Sequence, residues 1–323
     1  MPSVPPFSRS EKVKAYAIQC RPVVWKEHDL RAADGTALKL LEGSIESASK
    51  LSKRVMVLYF QGNASSLPPR LPYLSNILKT LQASDAPIHD PTNYTIFALS
   101  YRGFWTSRGR ATQPGIELDA QAALQWLSDN AFQHEQDTEV KTIIWGQSIG
   151  AGVATTALAT LLTQQALNAG AAASSQPHPQ TSPLTIHTLI LETPFLSIRS
   201  MLVALYPQKF LPYRHLWPFL RSTWDSEAAI KRITLATTAA APAASATPSP
   251  YTSPKKILIL QAGQDEIVPA AESEALERVC RENLAAVAVE RVVIPGALHT
   301  DIMAKTQGRR VIVQHIRDAV GGA

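Results

Sequence analysis

The chain is short of the features that would make several classes of protein plausible. It has only two cysteines, Cys20 and Cys280, in 323 residues, so there is neither a disulfide framework nor a Cys-x-x-Cys ligand pair, and a reducing compartment is the default. No window approaches the ~18 consecutive apolar residues of a spanning helix. The stretch from Met1 to Cys20 lacks the apolar segment of a signal peptide. The net charge of +5 is not gathered into a dense Lys/Arg block, and no base-stacking motif accompanies it, so nucleic acid is not an expected partner. No two of the eight histidines stand at a metal-ligand spacing, which removes the metallohydrolase reading.

What is present is the composition of a packed domain, with 45% hydrophobic and 18% charged residues, which excludes wholesale disorder. Short β-rich runs alternate with helical patterns. Leu30 to Arg31 and Leu38 to Leu41 flank the turn signal Asp34-Gly35 and predict an opening hairpin. Strands follow at Arg54 to Phe60, Thr95 to Ser100, Thr142 to Trp145, Thr185 to Leu191, Ile257 to Leu260 and Val287 to Ile294. Helices are expected at Pro69 to Gln82, Glu117 to Ser128, Ser148 to Leu162, Ala271 to Val279 and Val311 to Val320. Such alternation implies a mainly parallel sheet with helices on both faces. Residues 1–29 read as an N-terminal extension and 30–323 as one domain. Two Ala/Pro/Ser-rich tracts, 163–184 and 236–254, read as disordered insertions, and the aromatic and proline-rich segment 195–225 as a cap.

The strongest local signal is Gly146-Gln147-Ser148-Ile149-Gly150, between the apolar strand Thr142 to Trp145 and the helix that opens with Ala151-Gly152-Val153. A strand that turns this sharply into a helix needs small flanking residues, and it leaves the serine hydroxyl exposed beside free helix N–H groups. A small-residue turn without chemistry would carry the same letters; the strand before and helix after favour a nucleophile. A serine hydroxyl attacks only when a base takes its proton, and in this fold order an acid and then a histidine follow. Asp265, after the strand ending at Leu260, and His299, after the strand ending at Ile294, meet that order. Glu266 competes with Asp265, and a capping role for either carboxylate stays open. The other histidines have ordinary explanations: His187 in a strand, His315 on a helix, His178 in a tract, and His28, His89, His134 and His215 away from the late strand end. The loop Gln61-Gly62-Asn63 after an early strand is expected to supply a second oxyanion donor, so that the backbone N–H groups of Asn63 and Ile149 form the hole. Asn63-Ala64-Ser65 and Asn93-Tyr94-Thr95 match the glycosylation pattern by chance, since a glycan on Asn63 would block that loop.

Together these residues resemble the α/β-hydrolase superfamily, in particular the abhydrolase branch of lipases and protein depalmitoylases related to the fungal bud-emergence hydrolases. Ser100-Tyr101-Arg102-Gly103-Phe104, with Ser107-Arg108-Gly109, Gly115 and Asp119-Ala120, is similar to the branch's Tyr-Arg-Gly block. Leu191-Glu192-Thr193-Pro194-Phe195 resembles its block after the sixth strand. The resemblance implies the α/β-hydrolase fold, an eight-stranded, mainly parallel sheet with a small helical cap. It implies a serine hydrolase acting on carboxylic esters or thioesters, such as an acylglycerol, lysophospholipid or S-acyl protein, with the triad Ser148, Asp265 and His299 and no metal or organic cofactor.

The chain departs from the branch in having Gln61 in place of its histidine, Ala151-Gly152 in place of Gly-Gly, and no N-terminal membrane anchor. The last point leaves either a soluble or peripheral protein, at the cytosolic face, or a start downstream of an anchor; a monomer is expected. Glu192 could be an alternative acid, but a structural role holding Arg102 or a nearby loop is favoured. In the cap, Leu202, Leu205, Phe210, Leu211, Trp217 and Phe219 would line an acyl pocket if they are not ordinary core, and such an amphipathic cap would allow peripheral membrane contact. Two other readings stay open, a peptidase of the prolyl-oligopeptidase type and a binding protein that keeps the fold without catalysis.

Overall fold

Eight strands form one sheet in the order β1-β2-β4-β3-β5-β6-β7-β8, seen in a computed structural model that describes residues 8–46, 53–63, 66–83, 92–131, 139–172, 184, 186–205, 220–239 and 254–321. The strands are β1 (Val24–Arg31), β2 (Ala37–Ser44), β3 (Lys53–Phe60), β4 (Thr92–Ser100), β5 (Glu139–Gln147), β6 (Ile186–Glu192), β7 (Lys256–Ala262) and β8 (Ala288–Ile294). β1 pairs antiparallel with β2, and β2 with β4. Every pairing from β4 to β8 is parallel. The helices are α1 (Ala17–Cys20), α2 (Leu71–Gln82), α3 (Gln113–Ala131), α4 (Ile149–Ala172), α5 (Ile198–Leu205), α6 (Ser226–Ala239), α7 (Ala270–Asn283) and α8 (Thr306–Gly321).

The continuous apolar runs of the central strands follow from burial on both faces. Met56, Leu58 and Phe60 of β3 point into a core shared with α3, α4, α6 and α7. Val55, Val57 and Tyr59 point into the opposite core, filled by Leu74, Ile77 and Leu78 of α2 and Ile312 and Ile316 of α8. The expected mainly parallel sheet covered on both faces is therefore what forms, and the carboxyl ends of β3, β5, β6, β7 and β8 all open on one edge.

Four boundaries differ from expectation. The hairpin strands are longer than the apolar letters suggest, and β1 runs through the expected boundary at 29/30; Cys20 and Val23, also in the supposed extension, are buried in the core. α4 does not stop at Leu162 but continues to Ala172, because Ala, Leu and Gln propagate a helix as readily as they populate a linker. The tract beginning at 236 is likewise helical to Ala239, within an α6 that sequence reasoning missed. Its stripe of Ala229, Ile230, Ile233 and Ala236 is buried, and Asp225 caps it by accepting the Ala228 N–H at 2.9 Å. The remainder of the two tracts, 173–183 and 240–253, lies outside the described residues, as do 206–219 of the cap. Of the six supposed pocket residues, Leu202 is half-buried and Leu205 exposed, on α5, and the other four are not among the described residues. α5 is tied down at its start, where Glu272 of α7 accepts the Leu196 N–H at 2.9 Å and the Ser200 hydroxyl at 2.6 Å.

The Tyr-Arg-Gly block folds around a buried ion pair. Arg102 Nε and the Arg102 backbone N–H each donate to Asp119 at 2.8 Å, and the guanidinium reaches Asp34 of the β1–β2 turn at 2.7 Å. Asp119 is fully buried. Arg102→Met would leave that carboxylate without its cation, and is expected to cost about 3 kcal/mol, read as a fall in the denaturant midpoint at constant slope.

Candidate active site

The chain leaves β5 at Gln147 and enters α4 at Ile149, so Ser148 alone makes the turn. It does so at φ 54°, a conformation that non-glycine residues hold only when their surroundings force it. The two flanking glycines explain how. A Cβ at Gly146 would lie 2.1 Å from the carbonyl oxygen of Gly150, and one at Gly150 would lie 2.1 Å from that of Phe60. Either would push helix, strand and β3 apart. The Ser148 N–H donates to the Glu192 carbonyl at 2.8 Å, which fixes the turn against β6.

His299 stands between the serine and a carboxylate. Its Nε2 is 2.9 Å from Ser148 Oγ, and its Nδ1 is 2.9 and 3.0 Å from the two oxygens of Asp265. The imidazole is almost wholly buried. Burial works to raise the Asp265 carboxyl, but hydrogen bonds from His299 and from the N–H groups of Val268 and Ile267 outweigh it and hold the group below its usual range. The neighbouring Glu266 takes another task and accepts the backbone N–H of His299 at 3.0 Å, so of the two competing carboxylates it is Asp265 that meets the imidazole.

For the oxyanion donors, Ile149 is the first residue of α4, where a backbone N–H has no carbonyl within its own helix to bond. Gly62 packs beside the serine, with its Cβ position 3.4 Å from Ser148 Cβ, and Asn63 follows it as an exposed residue. Gln61 is buried, its carbonyl accepting the Tyr101 hydroxyl at 2.9 Å, while among the described residues neither of its side-chain amide atoms has a partner. His187 and His315 lie on β6 and α8 as expected, His28 lies in β1 paired with Glu42 at 2.7 Å, and His89, His134, His178 and His215 fall outside the described residues.

Sequence reasoning favoured a structural role for Glu192, holding Arg102 or a nearby loop. It does not hold Arg102, whose guanidinium is taken by Asp119 and Asp34; it is fully buried behind the serine and accepts hydrogen bonds from Trp145 Nε1 and Gln147 Nε2, each at 3.0 Å. Gln147, Tyr59 and Arg70 of this group were not singled out, although Gln147 is one of the unassigned letters of the Gly-x-Ser-x-Gly motif. Among the described residues no cluster of His, Cys, Asp and Glu is arranged to hold a metal, and no helix is long and apolar enough to cross a membrane.

The family model described as BD-FAE matches residues 90–279, more than half of the chain. The chain is a member of the BD-FAE family. This BD-FAE member is similar to Protein bem46 of Schizosaccharomyces pombe, 27% identical over 229 residues that cover 70% of this chain and 56% of that protein. It is also similar to the alpha/beta hydrolase domain-containing protein WAV2 of Arabidopsis thaliana, 30% identical over 151 residues, 47% of this chain and 37% of that protein. It thus spans about half, or less, of the length of these relatives. Among solved structures it resembles the esterase Pf2001 of Pyrococcus furiosus, with TM-score 0.53, 17% identity and coverage of 98% and 96% of the two chains. A hyperthermophilic esterase of Pyrobaculum calidifontis gives TM-score 0.55 at 13% identity, covering 98% of each chain. At such identities the shared property is the fold, and this BD-FAE member has the α/β-hydrolase fold that its motifs resemble.

Burial pushes the Glu192 carboxyl up to about 7 from 4.5, against hydrogen bonds and charges that favour ionisation. The folded protein therefore keeps a proton that the unfolded chain releases, so this stabilising contribution is complete below 4.5 and is lost as pH rises through 7. Glu192→Gln removes the dependence. The difference in unfolding free energy between variant and wild type is expected to change by about 2 to 3 kcal/mol across that window, measured by denaturant unfolding at a series of pH values.

Proposed function

We propose that this BD-FAE member is a serine hydrolase that cleaves carboxylic esters or thioesters of medium to long acyl groups through an acyl-enzyme. The observation that carries the reading is the imidazole of His299 bridging Ser148 Oγ at 2.9 Å and Asp265 at 2.9 Å, on a serine held in a forced turn. Ser148 Oγ attacks the acyl carbon while His299 Nε2 takes its proton. Asp265, held ionised by three N–H donors, keeps the proton of the imidazole on Nδ1 and stabilises the imidazolium. The negative oxygen of the tetrahedral intermediate is received by the backbone N–H groups of Ile149, at the start of α4, and of Asn63, in the loop after β3. His299 then returns the proton to the leaving alcohol or thiol, and water, activated by the same imidazole, releases the acid.

Esterases among the structural relatives support ester cleavage over peptide cleavage. Acyl length rests on α5, which follows β6 at the edge that bears the site: its Leu202 is half-buried, while Ile198 and Met201 pack against the core. Peripheral contact with a membrane carrying such acyl groups belongs to the same proposal.

A fluorophosphonate should label the wild type and leave Ser148→Ala unlabelled, with turnover in that variant down at least ~10⁴-fold. Retained turnover in Ser148→Ala would remove the assignment, and absence of labelling in the wild type would favour a binding protein. Asp265→Asn is expected to lower kcat about 10³- to 10⁴-fold while labelling becomes slow rather than lost. Nitrophenyl esters from acetyl to palmitoyl, run against aminoacyl arylamides, read the substrate class: preference for the longer esters is expected, and preference for the arylamides would instead indicate a peptidase.

A further inference from the structure

Behind the serine lies a polar group that the proposed reaction leaves unused. Glu192 ends β6 and is completely buried. One carboxyl oxygen accepts Trp145 Nε1 and the other accepts Gln147 Nε2, each at 3.0 Å. The remaining amide atom of Gln147, Oε1, accepts the Tyr59 hydroxyl at 3.1 Å and a guanidinium N–H of Arg70. The backbone carbonyl of Glu192 accepts the Ser148 N–H at 2.8 Å. Glu192 therefore holds both the serine and the residue before it.

The directions of these bonds are not free. Arginine and the indole only donate, so the oxygen of Gln147 must face Arg70 and its nitrogen must face Glu192. Both carboxyl oxygens then receive N–H groups, which is the pattern of an ionised carboxylate. A proton on Glu192 has no acceptor among these partners. To supply one, Gln147 would have to turn its oxygen toward Glu192 and its NH₂ toward the Arg70 guanidinium, donor against donor. Burial nevertheless favours the protonated form, and the two demands balance near neutrality, at about 7.

The groups that face Glu192 are few. β5 contributes Trp145 and Gln147, β3 contributes Tyr59, the turn before α2 contributes Arg70, and the loop after β8 contributes His299, whose charge favours the carboxylate. β7 meets this end of β6 through backbone, the Leu260 carbonyl accepting the Thr193 N–H at 2.7 Å. Tyr101 lies next to Tyr59 and Arg70 and is held neutral by burial.

We infer that Glu192 is a positioning residue for Ser148, an inference that rests on the serine-hydrolase reading above: ionised, it locks Gln147 and the serine turn in the reactive arrangement, and protonated it releases Gln147, so that reactivity falls with a second proton besides the one the imidazole takes. Glu192 touches no reacting atom. It acts through the backbone of the turn and through the amide of Gln147.

The test is the pH dependence of fluorophosphonate labelling and of kcat/KM for nitrophenyl butyrate, from about pH 5.5 to 9, in the full chain, in Glu192→Gln and in Arg70→Met. The wild type should lose reactivity on the acid side with an order approaching two in protons. Glu192→Gln should be about tenfold slower at the alkaline end with KM unchanged, and its acid limb should fall to first order. Arg70→Met removes a charge that favours the carboxylate, so its acid limb should move to higher pH while remaining second order. A wild-type limb of first order, or a Glu192→Gln limb that matches the wild type in order and midpoint, overturns the inference. If Glu192→Gln does not fold, an unmoved limb in Arg70→Met overturns it, and a limb moved to higher pH sustains it. Absence of wild-type labelling at every pH would instead overturn the serine-hydrolase reading, so the two failures are distinguishable.

Discussion

The backbone contact between Gly150 and Phe60 governs the rest of the site. With 2.1 Å between the Cβ position of Gly150 and the Phe60 carbonyl oxygen, and the same between Gly146 and Gly150, β3, β5 and the first turn of α4 meet with no side chain between them. That closeness compels Ser148 into a left-handed turn and lifts its hydroxyl above the sheet edge. It also brings the Gln61-Gly62-Asn63 loop beside the serine, because β3 is paired with β5 to its last residue, Phe60 opposite Gly146. A larger residue at either glycine would separate the strand from the helix and spread the serine, the loop and the helix N-terminus apart.

Two carboxyl groups on that edge show how environment decides what the same functional group does. Asp265 sits in a loop, takes two backbone N–H bonds and the imidazole, and stays ionised. Glu192 sits at the end of a central strand, with neutral Trp145 and Gln147 as its direct donors and Arg70 one residue removed, and its proton is held up to neutrality. Burial opposes charge in both. The difference lies in the number and directness of the donors that repay desolvation. The acid that meets the imidazole is held ionised, while the acid beside the serine turn exchanges its proton near neutrality.

Further from the chemistry, Arg102 shows how the fold secures the strand that the site does not use. Its guanidinium joins the β1–β2 turn, through Asp34, to α3, through Asp119, and its backbone begins the loop after β4. The antiparallel hairpin at the edge of an otherwise parallel sheet is in this way tied to the helix that covers it. Such a pair contributes order more than net stability, since two desolvated charges roughly cancel their own attraction.

Much of this was legible in the letters. Strands buried on both faces must be continuously apolar, so β3 to β7 announce themselves; the order serine, aspartate, histidine at successive strand ends follows from the connectivity of a parallel sheet, and the glycines around Ser148 are demanded by local sterics alone. Other features were illegible for equally physical reasons. The end of α4 and the last turn of α6 are written largely in Ala, Thr and Gln, a composition that a helix packed against a neighbour and a loose linker share, and only the neighbour decides. The partner of Glu192 was read as Arg102 or a nearby loop, whereas Glu192 meets Trp145 and Gln147 on the adjacent strand and Arg102 meets Asp119. The sequence by itself determined the class of fold, the sharp turn at Ser148 and the candidates for acid and base, since these depend on local sterics and on strand order. Only the tertiary structure decided which carboxylate meets the imidazole and which side chains surround the buried acid, since hydrogen bonds act over about 3 Å between residues that the chain keeps far apart.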